Sequence, residues 1–432
     1  MAPIELYAEL LTNIRTVSFV ASLRSESNKE TKAELSADGQ IITINHDGES
    51  ASIQLPTQMT GGGSASLTLP ARPSKDLTLR LKVEEKEAGF LKFVDGSAEN
   101  VVPWPASELS DRLECQACGT SLLQPGRIHE WRDLPNENWA EMMDFWHCHK
   151  PHEHGGHKDD DASHNKGYSA SSKLQAIHSV GFVGLSYFIF LKDDCRNIKQ
   201  NEELVSSLNS ESDTSLCCEK CGNELGVADD SISGWRIYKW NVQLRKDNPP
   251  NPHAFSSQKW ISSLLLSSSE NTGVRRFVVE PSSPIARSDT EPTSILLWLF
   301  TPDLCFSSSY QSSLKPIPRK DPTRAIKVYH KPLVNPADFL NRNSTSHEHL
   351  LFPSGLYKSL VDSLETSQLL LPAAARKFQD WDVGILERFD ARDVALSGED
   401  AAKVSVPVKE EKDVVRRGEL ESMVNKMAEV QV

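Results

Sequence analysis

Two short cysteine motifs of the same form constrain this chain more than any other feature. The first, CQACG, places Cys115 and Cys118 two residues apart and ends on a glycine. The second, CEKCG, repeats the spacing with Cys218 and Cys221. Two intervening residues let both thiolates of a tight turn point at one ion, and the closing glycine permits a positive φ. Four such sulfurs predict a closed, tetrahedral structural Zn²⁺ site.

The two motifs are far apart, because 99 residues separate Cys118 from Cys218. One shared ion would therefore pin together distant parts of a β-rich domain. The alternatives are an idle pair, separate ions for the two pairs, or a further ligand set drawn from Cys148 and the histidines near it. Cys217 adjoins Cys218 but lacks the right spacing to the following cysteine. A four-cysteine site leaves no open coordination position, so it predicts stability rather than catalysis.

The composition favours metal ligation over disulfides and favours protein partners over nucleic acid. Eight cysteines in 432 residues, with no signal-peptide pattern at the start, indicate a reducing compartment. A net charge of −13 argues against direct binding of nucleic acid or anionic membrane, because both require clustered Lys and Arg. The longest apolar stretch, 181–191, is too short to cross a bilayer.

Alternating apolar and polar residues predict a β-rich fold with an α+β C-terminal region. We expect a β-rich N-terminal region, 1–110, and then a zinc-binding β domain, 111–245, with inserted polar loops at 147–172 and 196–215. The C-terminal α+β region, 257–392, holds helix-forming segments at 256–268 and 354–371. The charged tail, 393–432, is expected to be mobile or helical. It carries a weak amphipathic stripe, formed by Leu420, Met423, Val424 and Met427.

A Trp-His-Cys-His segment follows the first cysteine motif. Asn136 is a candidate N-cap for a short amphipathic helix whose apolar residues, at helical spacing, are Trp139, Met142, Met143 and Trp146. The helix delivers His147, Cys148 and His149 to the loop that follows. Cys148 is thus a reactive thiol, a soft metal ligand or a plain buried cysteine. The histidines between 152 and 164 lie among Gly, Asp and Lys, which is typical of a solvated loop.

Several motifs in a fixed order give this chain a family resemblance. They are CQACG, LPNENWAEMMDFWHCHKP, GLSYFIFL, CEKCG, ILLWLF, RAIKVYH and FQDWDVGILERF, and together they run from about Ala106 to Asp390. The chain resembles the HECT-like ubiquitin ligases that bind ubiquitin-conjugating enzymes (E2), in a fungal-type version. The resemblance implies a ligase that accepts ubiquitin from an E2 and passes it to substrates and to itself. It also implies cyclin binding, a location in cytosol and nucleus, and a link to the metallonuclease of mRNA 3′-end processing.

The acceptor cysteine departs from the HECT pattern. A HECT domain carries this cysteine near its C-terminus, whereas the last cysteine here, Cys305, precedes residue 432 by 127 positions. Cys305 is predicted at the end of a core strand, and Cys195 in an exposed turn among acids, where a thiolate is disfavoured. Cys148, with His149 beside it, is therefore the candidate acceptor.

A non-catalytic adaptor or chaperone is the alternative function. In that case the His147–His149 loop would dock into a metallonuclease of mRNA 3′-end processing and ligate its metal through sulfur and imidazole. The helix bearing Trp139 and Trp146 would support the loop from behind.

Overall fold

The structure is a computed structural model that describes most of the chain. The described residues are 4–59, 65–67, 72–83, 102–110, 112–134, 174–201, 214–245, 252–282, 294–310, 319–390 and 393. Strands dominate these residues, as the alternating sequence pattern predicts, so the β-rich fold class is confirmed. None of the helices in these ranges is long and apolar enough to cross a membrane.

The secondary structure of the described residues comprises 23 strands and three α-helices. The strands are, in chain order, β1 (Glu5–Leu11), β2 (Thr16–Ser22), β3 (Lys32–Leu35), β4 (Ile41–His46), β5 (Glu49–Gln54), β6 (Ala65–Leu67), β7 (Asp76–Lys82), β8 (Leu113–Cys115), β9 (Glu130–Asp133), β10 (Val180–Val183), β11 (Tyr187–Phe190), β12 (Ile198–Asn201), β13 (Thr214–Cys218), β14 (Glu224–Asp229), β15 (Gly234–Tyr238), β16 (Val242–Arg245), β17 (Pro252–His253), β18 (Arg276–Pro281), β19 (Ser294–Ser308), β20 (Thr323–Leu333), β21 (Glu348–Phe352), β22 (Lys377–Phe378) and β23 (Trp381–Glu387). The helices are α1 (Ser257–Thr272), α2 (Pro336–Asn343) and α3 (Ser354–Ser367).

A nine-stranded sheet organises the N- and C-terminal regions together. Its main path runs β22-β23-β20-β19-β1-β2-β7, and β18 and β21 extend it from β19. The long strand β19 pairs with β20 along one edge, and along its other edge its first half pairs with β18 and its second half with β1. Strands from the predicted regions 1–110 and 257–392 therefore share one sheet, although the domain boundaries themselves stay a prediction.

A four-stranded sheet, ordered β5-β4-β3-β6, packs against the N-terminal strands of the nine-stranded sheet. Alternate residues of β1, β2 and β7 face it, so each strand presents one buried side, as Val17, Phe19 and Ala21 do on β2. Both helices predicted from the C-terminal sequence are confirmed, as α1 and α3. They pack on the opposite end of the large sheet through Ile261, Leu360 and other residues of the largest core cluster.

A seven-stranded and a three-stranded sheet form the middle of the chain. The seven-stranded sheet is ordered β12-β13-β14-β15-β11-β10-β9, and the three-stranded sheet is ordered β17-β16-β8. Strand β12 lies inside the 196–215 segment predicted as a polar insert. Buried residues of both sheets join α1, α3 and the nine-stranded sheet in one continuous core cluster.

The close pairing of β14 with β15 depends on Gly226. A Cβ atom at this position would lie 1.8 Å from the carbonyl oxygen of Arg236 on the neighbouring strand. We expect Gly226→Ala to destabilise the protein by about 3 kcal/mol or more, because two backbones must separate. Urea unfolding measures the loss. Gly355→Ala is the control, since its Cβ would meet only the Glu224 side chain at 3.3 Å, and it should leave stability within about 1 kcal/mol of the wild type. Equal stability of the two variants would contradict the prediction.

Candidate metal centre

The four predicted ligand cysteines meet at one point of the structure. The Sγ atoms of Cys115, Cys118, Cys218 and Cys221 all lie within 4.8 Å of one another. Cys115 and Cys218 are buried, and Cys221 is exposed, so the cluster lies at the protein surface with its inner side in the core. The structure thus brings together the two motifs that are 99 residues apart in the sequence.

The sulfur–sulfur distances fit a tetrahedral ion. The Sγ atoms of Cys115 and Cys221 are 3.8 Å apart, and those of Cys118 and Cys218 are 3.7 Å apart. Zn–S bonds of about 2.3 Å give a regular tetrahedron with edges of about 3.8 Å. A disulfide would need an S–S distance of about 2.0 Å. The residues therefore fit a four-thiolate metal ion and not a disulfide pair.

Both cysteine turns have the same backbone geometry. The Gly119 N–H donates to the Cys115 carbonyl, and the Gly222 N–H donates to the Cys218 carbonyl, each over 2.8 Å. Each glycine has a positive φ, +69° and +71° respectively. The predicted role of the glycines is confirmed, because only a residue without Cβ adopts this conformation at no steric cost.

The two turns belong to different sheets, so the cluster joins them. The first turn leaves β8 of the three-stranded sheet, and the second joins β13 to β14 in the seven-stranded sheet. Backbone carbonyls outside the motifs hold each turn: Asn241 accepts from the Gln116 N–H over 3.0 Å, and Asn197 accepts from the Glu219 N–H over 2.9 Å. Spacing in the sequence carries no signal for these two supporting residues.

The four thiols differ in their environment. Burial raises the pKa of Cys115 to about 12, although the N–H groups of Ala117 and Cys118 oppose the rise. A hydrogen bond with the Thr120 hydroxyl, whose oxygen is 3.2 Å from the sulfur, lowers the pKa of Cys118 to about 6. Burial also raises the pKa of Cys218. Four cysteine sulfurs gathered in this way are a donor set that suits a soft divalent cation.

The remaining described cysteines lie apart from the cluster. Cys195, predicted in an exposed turn, is instead buried, and both burial and the neighbouring Asp194 raise the pKa of its thiol. The prediction was wrong because the KDDC turn folds inward: Asp194 is fully buried and accepts from Arg127 and from the Ser179 N–H. Cys217 is buried in β13, and Cys305 lies within β19, half-buried.

The Trp-His-Cys-His segment lies outside the described residues, which stop at residue 134 and resume at 174. Trp139, Trp146, His147, Cys148 and His149 fall within this range, and their predicted roles stay predictions.

The two residues that flank the segment lie close to one hydrophobic cluster. Leu134 and Leu174 pack against the same small cluster, which contains Val180, Phe182, Ile189 and Ile232. The segment therefore leaves and rejoins one place, next to β9 and β10. Strand β13, which leads into the second cysteine turn, is five strands away from β9 in the seven-stranded sheet. The distance between the two strands is therefore roughly 24 Å.

Comparison with known proteins gives one family match. The model of the family described as HECT-like ubiquitin-conjugating enzyme (E2)-binding matches residues 9–383, which includes both cysteine turns. No solved structure matches this chain.

Relatives in fungi and mammals are similar over most of their length. An uncharacterized protein of Saccharomyces cerevisiae is 26% identical over 392 residues, covering 88% of this chain and 98% of the relative. An uncharacterized protein of Schizosaccharomyces pombe is also 26% identical, over 68% of this chain and 79% of its own. A Homo sapiens protein named as an E3 ubiquitin-protein ligase is 23% identical over 63% of this chain and 72% of its own.

Proposed function

This chain belongs to the HECT-like family of proteins that bind ubiquitin-conjugating enzymes (E2), and from that membership we propose that it is a ubiquitin ligase. It recruits an E2 charged with ubiquitin and promotes transfer to substrates and to itself. The family match over residues 9–383 carries this proposal. The names of the mammalian relatives, which are E3 ubiquitin-protein ligases, agree with it.

Structural Zn²⁺ is the metal that suits the four-cysteine cluster. Four sulfur donors within 4.8 Å of one another disfavour oxygen-preferring cations such as Mg²⁺ and Ca²⁺. Bound zinc would supply a cross-link between the seven- and three-stranded sheets, with no open position for a substrate. The cysteines would then hold the scaffold on which an E2 docks. A reducing location in cytosol and nucleus, which we also propose, keeps these thiols available.

Cys148 is the candidate acceptor, because the other cysteines outside the metal cluster are poor nucleophiles. The buried thiol of Cys195 has a raised pKa, Cys217 is buried, and Cys305 lies within a sheet, so each is a poor nucleophile. The Cys148 thiolate would attack the carbonyl carbon of the E2–ubiquitin thioester, and the E2 thiolate would leave. A substrate amine would then attack the new thioester, form the amide bond and release Cys148. His149 is proposed as the neighbouring base.

The second candidate is the adaptor that docks into a metallonuclease of mRNA 3′-end processing. One observation favours it: the His147–His149 loop offers a thiol between two imidazoles, which is a suitable ligand set for a partner's zinc ion. His147, Cys148 and His149 would then ligate the partner's metal, with Trp139 and Trp146 behind them. Cyclin binding is a further proposal that rests on the family resemblance alone.

A charging assay separates the two functions. Full-length protein is incubated with activating enzyme, E2, ATP and ubiquitin, and a reductant-sensitive ubiquitin adduct is expected on the wild type. Cys148→Ser should abolish the adduct, whereas the matched control Cys305→Ser should retain it. If no adduct forms on the wild type while Cys148→Ser loses nuclease binding in a pull-down, the adaptor replaces the ligase. An adduct that survives in Cys148→Ser overturns the acceptor assignment.

A further inference from the structure

A group of aromatic side chains, two of them exposed, lies at one end of the nine-stranded sheet. We call it the aromatic ladder, and its members are Trp298, Phe300, Tyr329, Phe378 and Trp381. The ladder lies on the sheet face opposite α1 and α3, because its neighbours in sequence, such as Leu297, Leu299 and Val328, pack towards those helices. Phe300 is 45% exposed and Phe378 is 42% exposed, and the ring of Tyr329, which is only 7% exposed, lies between them.

The rings of the ladder contact one another in an ordered way. Phe300, Tyr329 and Phe378 form a stacked column with ring centroids 4.6 and 5.0 Å apart. Stacked rings present their edges to solvent and keep their faces against each other. The net charge of −13 disfavours nucleic acid as the ligand of this surface, because binding phosphates requires clustered Lys and Arg.

Cations line the two sides of the ladder. The Arg276 guanidinium lies 5.0 Å from the centre of the Trp298 ring, and the Lys331 ammonium lies 4.4 Å from that of Trp381. Lys331 is paired with Asp380 at 2.8 Å, whereas Arg275 and Arg276 are both exposed. Ring edges also carry partial positive charge, so the surface suits an apolar segment flanked by acidic side chains.

We propose that the segment 419–427 of the C-terminal tail covers the aromatic ladder. Its apolar residues recur at helical spacing, and two of them, Met423 and Met427, are flexible thioethers that pack well against rings. Glu419 and Glu421 flank Leu420 and would face the exposed Arg276 beside Trp298. The tail binds intramolecularly, as an amphipathic segment binds in an aromatic groove.

The length of the tail fits this placement. The described chain ends near Asp390, just beyond β23, whose first residue, Trp381, belongs to the ladder. The seven residues of β23 put Trp381 about 20 Å from Glu387, and Asp390 lies three residues further along the chain. The linker 394–418 has 25 residues, and a flexible chain of that length has a root-mean-square span of about 28 Å. The segment is therefore held within reach of the ladder at high effective concentration.

A photocrosslink in the full-length protein tests the placement. Phe378 is replaced by p-benzoylphenylalanine, which keeps an aromatic side chain at an exposed position. After irradiation, mass spectrometry of the monomer fraction should find the label joined to residues 419–427. The same label at Ile177, which is 45% exposed but lies beside another sheet, should give at least five-fold less of this product.

Two single variants then test whether the apolar stripe, and not the tail as a whole, makes the contact. Met423→Asp should lower the yield from the Phe378 position at least five-fold, because a charge enters the stripe. Asn425→Asp adds the same charge on the other side of the helical pattern and should leave the yield unchanged. Equal yields in these two variants, a product that joins two copies, or a product with any other segment would overturn the proposal.

Discussion

Replacing Cys218 with serine is expected to remove the metal and destabilise the middle of the protein. The wild type should hold one zinc ion per chain, and Cys218→Ser should hold close to none after dialysis against a weak chelator. Cys115 and Cys218 are buried and belong to two different sheets. Losing one ligand should therefore remove the metal ion that links these sheets. Because the affinity of a structural zinc site contributes directly to folding, we expect a loss on the order of 5 kcal/mol.

The neighbouring residue provides a matched control for this experiment. Cys217 is buried, adjoins Cys218 on the same strand and lies outside the four-sulfur cluster. Cys217→Ser should keep one zinc ion per chain and shift the melting temperature by only a few degrees. Elemental analysis and thermal unfolding measure both quantities on the same preparations. If well-folded wild-type protein contains no metal, or if the two variants lose zinc equally, the shared site is wrong.

Replacing Lys239 with methionine is expected to stabilise the protein at neutral pH. The side chain is only 2% exposed, and its ammonium lies 5.1 Å from the Phe188 ring and 5.6 Å from the Trp260 ring. Burial lowers the pKa of Lys239 to about 7, and the nearby Asp133 offsets only part of that effect. Holding a charge there costs on the order of 4 kcal/mol, part of which the cation–π contacts return. Methionine keeps the volume and removes the charge.

The stabilisation expected from Lys239→Met should depend on pH, because it comes from removing a charge that titrates. The unfolded lysine keeps its proton up to about pH 10, whereas the folded lysine releases it above about pH 7. Between these values the unfolded chain binds more protons, so wild-type stability rises with pH, and below pH 7 the full penalty remains. Urea unfolding at about pH 6.5 and about pH 9.5 should show the variant's advantage shrinking at the higher value.

An exposed lysine is the control for Lys239. Lys192 lies 5.9 Å from the Trp235 ring and is exposed to solvent. Lys192→Met removes the same charge from a hydrated site, so it should leave the pH dependence of the wild type intact. A pH profile of Lys239→Met that runs parallel to that of the wild type would show that the buried ammonium is not the cause.

The sequence alone determined the parts of this protein that depend on local geometry. The spacing within CQACG and CEKCG, with a glycine after each second cysteine, predicts two turns, and both turns form with positive φ at Gly119 and Gly222. Alternation of apolar residues predicts strands, and helical spacing predicts α1 and α3. Each of these features is set within a few residues by steric and hydrogen-bonding rules. The family resemblance likewise depends on the order of short motifs.

Only the tertiary structure decided which of these elements meet. It pairs β1 with β19, turns Cys195 inward, and encloses Lys239 between two aromatic rings. It also places the two cysteine turns in different sheets and brings their four sulfurs within 4.8 Å of one another. These contacts join residues far apart in the chain, and a local pattern carries no information about its distant partner. Long-range strand pairing and core burial select that partner.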